Sequence, residues 1–210
     1  MPSERMILWP TVVSFWEIPS DEARVHNEVL EELVVREAST VHDTNQELRL
    51  HDMQEHESPS VQWLVDKVQV ACREYCGLPR GWPVDVELRG VVLTRGLHIN
   101  THTEASESDL AVSYWPSGDY NKIGTPINEN GNSITEPTFV LEDPSRHISD
   151  FRLPFDERHS VCVCPRPGLL TVFPAHLPHN VHPYMGDTPF VQIVAQVRLN
   201  LGKEYTRRKS

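Results

Sequence analysis

The chain has 210 residues, with 19 Lys+Arg against 30 Asp+Glu and a formal net charge of −11. That acidity argues against a nucleic-acid backbone or an anionic membrane surface as partner. Its 39% hydrophobic and 8% aromatic residues suffice for the core of one domain, and no apolar run approaches the roughly 20 residues that span a bilayer.

Met1 to Arg5 do not lead into a signal-peptide core, so a cytoplasmic protein is expected. Met6 to Ile18 is rich in β-branched and aromatic residues and reads as a strand broken at Pro10, covering one sheet edge. Ser20-Asp21-Glu22 supplies an N-cap and an acidic first turn for a helix over 21–37, with Val25, Val29, Leu30 and Leu33 on one stripe. Residues 39–57 are polar and without clear period, and read as a loop whose histidines are solvated. A second helix is expected over 60–76, where Val61, Leu64, Val65, Val68, Cys72 and Tyr75 recur at helical spacing until Gly77 stops the pattern.

Beyond Gly81-Trp82-Pro83 the pattern changes to short strands separated by turn formers, expected at 84–94, 138–141, 159–164, 169–173 and 190–199. Such a run indicates a sandwich or barrel. The segment 116–137 is a long turn-rich loop beside the strand ending at Trp115, and its length suits either a lid or a disordered segment. Cys72/Cys76 and Cys162/Cys164 lack the further ligands a soft metal needs and read as reduced thiols. We divide the single domain 1–210 into an N-terminal strand with two supporting helices (1–80), a β core (81–201) and a frayed tail (203–210).

The chemistry concentrates in 97–115. His102 and Glu104 are two residues apart, a spacing that puts both side chains on one face of an extended strand. A third ligand on another strand end is offered by His179, within Leu177-Pro178-His179-Asn180-Val181. Two imidazoles and a carboxylate on one side of a metal form the facial triad of non-haem iron(II) oxygenases.

At these residues the sequence resembles the iron(II)/2-oxoglutarate dioxygenases, more narrowly their small bacterial branch. The resemblance runs through Gly96, Asn100, His102, Glu104, Tyr114, Asp143-Pro144, Arg146, Pro167-Gly168, Phe173-Pro174 and 177–181, about half the chain. It implies a double-stranded β-helix (a cupin-like jelly roll) flanked by the N-terminal helices. It also implies Fe(2+) held by His102, Glu104 and His179, with 2-oxoglutarate as co-substrate and dioxygen as oxidant. Hydroxylation of a small molecule, such as an amino acid or a biosynthetic intermediate, is the usual outcome; desaturation and cyclisation occur on the same scaffold. Halogenases of this type lack the carboxylate ligand, so Glu104 argues against halogenation. A homodimer is left open.

The chain departs from the family pattern in three places. Glutamate stands at 104 where aspartate or histidine is commoner. His98, His176 and His182 crowd the motif and read as bystanders, because ligands need converging geometry. Phe190 occupies the position of the arginine that usually holds the far carboxylate of 2-oxoglutarate, a task no phenylalanine can perform. Arg198, on the same strand parity, and Arg146 are the replacements read from sequence, while Asn100 and Tyr114 are candidates to hydrogen-bond the keto acid. The rival readings are a cupin-like metalloenzyme without 2-oxoglutarate and a non-catalytic jelly-roll binding module.

Overall fold

Alternation between two faces of one large sheet organises the molecule. The structure, a computed structural model, describes residues 3–8, 11–38, 48–104, 108–118, 127–128, 137–144 and 160–200. In chain order the elements are β1 (Ser3–Leu8), β2 (Thr11–Glu17), α1 (Ser20–Ala38), β3 (Leu48–Leu50), a 3-10 turn (Met53–Glu55) and α2 (Pro59–Cys76). There follow β4 (Asp85–Leu93), β5 (Ile99–His102), β6 (Leu110–Trp115), β7 (Ile127–Asn128), β8 (Phe139–Glu142), β9 (Ser160–Val163), β10 (Leu169–Pro174), β11 (His179–Val181) and β12 (Phe190–Arg198).

The strands form a seven-stranded sheet in the order β1-β2-β10-β6-β12-β4-β3 and a five-stranded sheet in the order β5-β11-β8-β9-β7. Every strand pairing is antiparallel. This is the expected mainly-β double-stranded β-helix with N-terminal helices. Three strands of the larger sheet, β1, β2 and β3, come from before residue 81, so the sheet crosses the boundary drawn from sequence. The segment 6–18 is a hairpin rather than one broken strand, with β1 as the outer edge and β2 paired to β10. Within 39–57, expected to be loop, Leu48–Leu50 adds an edge strand to β4 because Leu48 and Leu50 alternate onto the helix side. The tail 203–210 and most of 116–137 lie outside the described residues.

On β12, Val191, Ile193, Ala195 and Val197 face the helices, whereas Phe190 packs between the two sheets. The period of two places successive side chains in different cores. α1 turns Ala23, Asn27, Leu30, Val34 and Ala38 onto the sheet, and Val25 and Val29, expected on the buried stripe, are 67% and 44% exposed. The stripe shifts because Asn27 is satisfied when buried: its Oδ1 accepts the Tyr114 hydroxyl. α2 starts with Pro at its first position and ends at Gly77, whose φ of 65° lets the Leu78 N–H close on the Arg73 carbonyl at 2.8 Å. The four cysteines are free thiols, and burial pushes that of Cys72 far up.

Gly90 on β4 marks the closest approach of sheet and helices. A Cβ there would meet the two Val34 methyls at 2.6 and 2.7 Å and Met53 Sδ at 3.1 Å. Val34 is β-branched and fully buried, so it cannot swing aside. Gly90→Ala should therefore lower the free energy of unfolding by about 1–3 kcal/mol, the usual range for overpacking. In urea denaturation, Val34→Ala in the same chain should make the double variant less destabilised than the sum of the two single changes.

Candidate metal centre

The two imidazoles arrive on paired strands. His102 ends β5 and His179 begins β11, and the two are cross-strand partners. The next pairing joins Val181 to Ile99, so Asn100 and Thr101 oppose the single residue Asn180. Such a bulge inserts one residue and resets the pleat. Ile99 and His102, three apart, consequently line the same pocket. On the outer side Thr101 Oγ1 donates to Glu142 Oε1 at 2.9 Å, and Asn180 Nδ2 donates to the same oxygen at 2.6 Å.

Glu104 lies past the end of β5, so a strand pleat does not position it as the two-residue spacing had suggested. Its backbone does: Glu104 N–H donates to the Ala175 carbonyl at 2.8 Å, and its carbonyl accepts the Ser108 N–H at 3.1 Å. The three side chains named from sequence are thereby brought together. One donor atom from each of His102, Glu104 and His179 lies within 4.8 Å of the other two. His102 Nε2 is 3.3 Å from Glu104 Oε1.

Both imidazoles are held the same way. His102 Nδ1 bonds the Asn100 carbonyl at 2.8 Å and His179 Nδ1 the Leu177 carbonyl at 2.9 Å. A carbonyl oxygen only accepts, so each Nδ1 carries the proton and each Nε2 is the donor atom left for a metal. Burial, reinforced by repulsion from His102, pushes His179 down to about 4 and keeps it neutral. Phe173 and Phe139 meet that ring edge-on, with centroids at 5.0 and 5.7 Å.

Burial opposes charge on Glu104 and on His102 more than any other single influence. Hydrogen bonds from His102 and Gln196 nevertheless hold the Glu104 carboxyl below its usual range, and the bond to Glu104 lifts His102 above its ordinary value. The two shifts show that the site favours positive charge beside the carboxylate. Mixed imidazole and carboxylate donors suit a divalent transition metal.

Gln196 Nε2 donates to Glu104 Oε2, leaving Oε1 toward His102. The Gln196 carbonyl oxygen accepts from Arg89 at 2.9 Å, and Arg89 also grips Glu87 at 2.9 Å. One carboxylate oxygen is therefore committed to the protein and the other to the metal position. The pocket is lined by the three ligands with Arg49, Arg89, Val91 and Gln192, and by Ile99, Val181 and Val194.

The remaining sequence candidates fall elsewhere. Tyr114 faces the helices, bonded to Asn27 and edge-on to Trp63, so it lies across the sheet from the pocket. Asn100 sits in the bulge with an exposed side chain and gives only its carbonyl to His102. Both corrections come from parity: the bulge breaks it at 100, and β6 presents even-numbered residues to the helices. Arg198 is exposed at the end of β12, opposite Asp85, and does not line the pocket. Arg146 lies outside the described residues. His98, His176 and His182 are exposed and outside the cluster. Arg49, Arg89, Gln192 and Gln196 were missed as site residues. The shared parity of Gln192 and Gln196 with Phe190 was the signal available for the two glutamines.

His179→Ala should abolish tight binding of one divalent metal per chain, whereas His176→Ala should retain it, as read by metal titration. Gln196→Leu should leave the fold intact and weaken metal affinity about 10- to 100-fold, the usual effect of losing a partner that orients a ligand.

No protein-family model and no curated protein matches the sequence. Solved structures do match its fold. The epimerase SnoN from nogalamycin biosynthesis, in complex with Fe3+, alpha ketoglutarate and nogalamycin RO, aligns over 87% of this chain and 78% of its own at 12% identity and a TM-score of 0.60. A Pseudomonas putida prolyl-4-hydroxylase aligns over 89% and 91% at 14% identity and a TM-score of 0.60. HygX from Streptomyces hygroscopicus, with nickel and 2-oxoglutarate bound, aligns over 89% and 83% at 13% identity and a TM-score of 0.59. The chain therefore has the double-stranded β-helix fold of the iron(II)/2-oxoglutarate oxygenases.

Proposed function

We propose that the protein is an iron(II)/2-oxoglutarate-dependent oxygenase acting on a small molecule. The observation that carries this reading is the convergence of two Nε2 atoms and one carboxylate oxygen in a pocket between the sheets. Relatives in fold reported with Fe3+ or nickel together with the keto acid support it. Iron(II) bound there would supply oxidative decarboxylation of 2-oxoglutarate by dioxygen, coupled to oxidation of a substrate C–H bond.

The protein's own contribution is orientation and exclusion. The Asn100 and Leu177 carbonyls fix the imidazole tautomers, and Gln196 fixes which carboxylate oxygen is presented. Phe139, Phe173, Ile99 and Val181 pack around the inner ligand side and keep bulk water from His179. Glu104 makes halogenation the wrong outcome for this donor set. Hydroxylation, epimerisation and ring closure all remain compatible, since the fold relatives include an epimerase, a carbocyclase and prolyl hydroxylases. Among the described residues no helix is long and apolar enough to cross a membrane.

Phe190 gives one rival a specific footing, a jelly-roll metalloenzyme that works without a keto acid. The two readings separate in one experiment. Anaerobic protein loaded with iron(II) should develop a metal-to-ligand charge-transfer band on adding 2-oxoglutarate, and should release succinate only when iron, keto acid and dioxygen are all present. Glu104→Ala should eliminate the succinate. A wild-type protein that shows neither the band nor succinate with any small acid tried would transfer the assignment to keto-acid-independent chemistry.

A further inference from the structure

The usual place for a carboxylate anchor is closed here. Phe190 is 4% exposed, and its ring lies 6.0 Å from that of Trp115 and 5.6 Å from that of Tyr184. A carboxylate in that aromatic cluster would lose its hydration and gain no cation, at a cost of several kcal/mol. Any dicarboxylate in the metal pocket has to direct its far end elsewhere.

The cations on the pocket wall stand on the two strands beyond β12, Arg89 on β4 and Arg49 on the edge strand β3. Arg49 on β3 pairs with Val91 on β4, while Leu48 and Leu50 on either side pack toward the helices. Arg49 therefore faces the same way as Val91, onto the metal pocket that both line. Arg89 lies two residues from Val91 on the same face. Its guanidinium already serves Glu87 through Nε and a terminal nitrogen, and Gln196 through that terminal nitrogen. Arg89 thus holds the chain of contacts that orients Glu104, and Arg49 is the other guanidinium lining the pocket among the described residues.

Gln192 points the same way. Its side chain is 2% exposed and lines the pocket between Arg49 and the Phe190 cluster, and its Oε1 has no partner among the described residues. Its Nε2 donates to Ser113 Oγ at 2.7 Å. Turning the amide over lets the Ser113 hydroxyl donate to Oε1 and frees the NH2 to donate into the pocket, since a terminal amide and a hydroxyl exchange roles at no geometric cost.

Building on the oxygenase reading above, we infer that Arg49, from the added edge strand β3, holds the distal carboxylate of the keto acid, with Gln192 as its neutral partner. The anchor has moved from β12 across two strand spacings, roughly 10 Å, and is supplied by the segment between the two N-terminal helices. A guanidinium presents the planar fork that a carboxylate pairs with through both oxygens.

Calorimetric titration of nickel(II)-loaded protein with 2-oxoglutarate and with pyruvate, which lacks the distal carboxylate, tests this directly. Arg49→Gln should weaken 2-oxoglutarate binding by about 30-fold or more, as expected for a charge-assisted pair lost from a shielded site. Pyruvate and nickel affinity should stay unchanged, Arg49→Lys should recover part of the loss, and Arg198→Gln should behave as wild type. The inference is overturned if Arg49→Gln binds 2-oxoglutarate normally, if it weakens pyruvate equally, or if the selective loss appears at Arg198 or Arg89. It is also overturned if wild-type protein binds the two keto acids with equal affinity. A wild-type protein that binds neither removes the oxygenase reading itself, and the anchor with it.

Discussion

In the central strands of the seven-stranded sheet side chains enter one of two environments, and the pleat decides which. One face meets the helices α1 and α2; the other meets the smaller sheet and contains the metal-binding pocket. On β12 the alternation is strict enough to put Val191, Ile193, Ala195 and Val197 in an apolar core and to turn Gln192 and Val194 toward the ligands. The helix side supplies bulk hydrophobic burial. That burial lets the other side carry glutamine, arginine and glutamate in a partly desolvated space, where unpaired polar groups would be destabilising.

Charge in the pocket is arranged as a sequence of compensations. Burial acts against Glu104 and both histidines, and each is answered differently: Glu104 by two donors, His102 by its bond to Glu104, and His179 by staying neutral. The outermost link, Glu87 to Arg89, is half-buried, so its worth lies in geometry more than in Coulomb energy. Through Gln196 that geometry reaches the metal position. The donor atoms of such a site are oriented by the protein's own hydrogen bonds, to the Asn100 and Leu177 carbonyls and from Gln196.

Much of this was legible in the sequence because it rests on local pattern. Helix periodicity located α1 and α2 nearly to their ends, turn residues separated the strands, and the order and spacing of His102, Glu104 and His179 named the three residues that converge. What was not legible depended on partners far along the chain. Nothing near Asn27 in sequence marks it for burial; its partner Tyr114 lies far along the chain, and the buried face of α1 turns away from Val25 and Val29. Arg49 sits in a stretch without period, and only its pairing with Val91 brings it to the pocket. Tyr114 and Asn100 failed as keto-acid contacts because strand parity was counted without the bulge in β5 and without knowing which face of β6 meets the helices.

The bulge at Asn100 and Thr101 makes the length of β5 a chemical variable. Side-chain identity at those two positions matters less than the fact that there are two of them. Pleated regularly at its present length, the strand would set the imidazole outside with Glu142 and Asn180, and the hydroxyl of Thr101 would take its place within. Substitutions that keep the bulge would then be a gentle perturbation of this stretch and a change that flattens it a drastic one, although neither residue binds the metal. Chains that diverge around this fold are thus free to vary the letters here, but bulge and residue count must agree in parity, because coordination chemistry on the other side of the strand demands it.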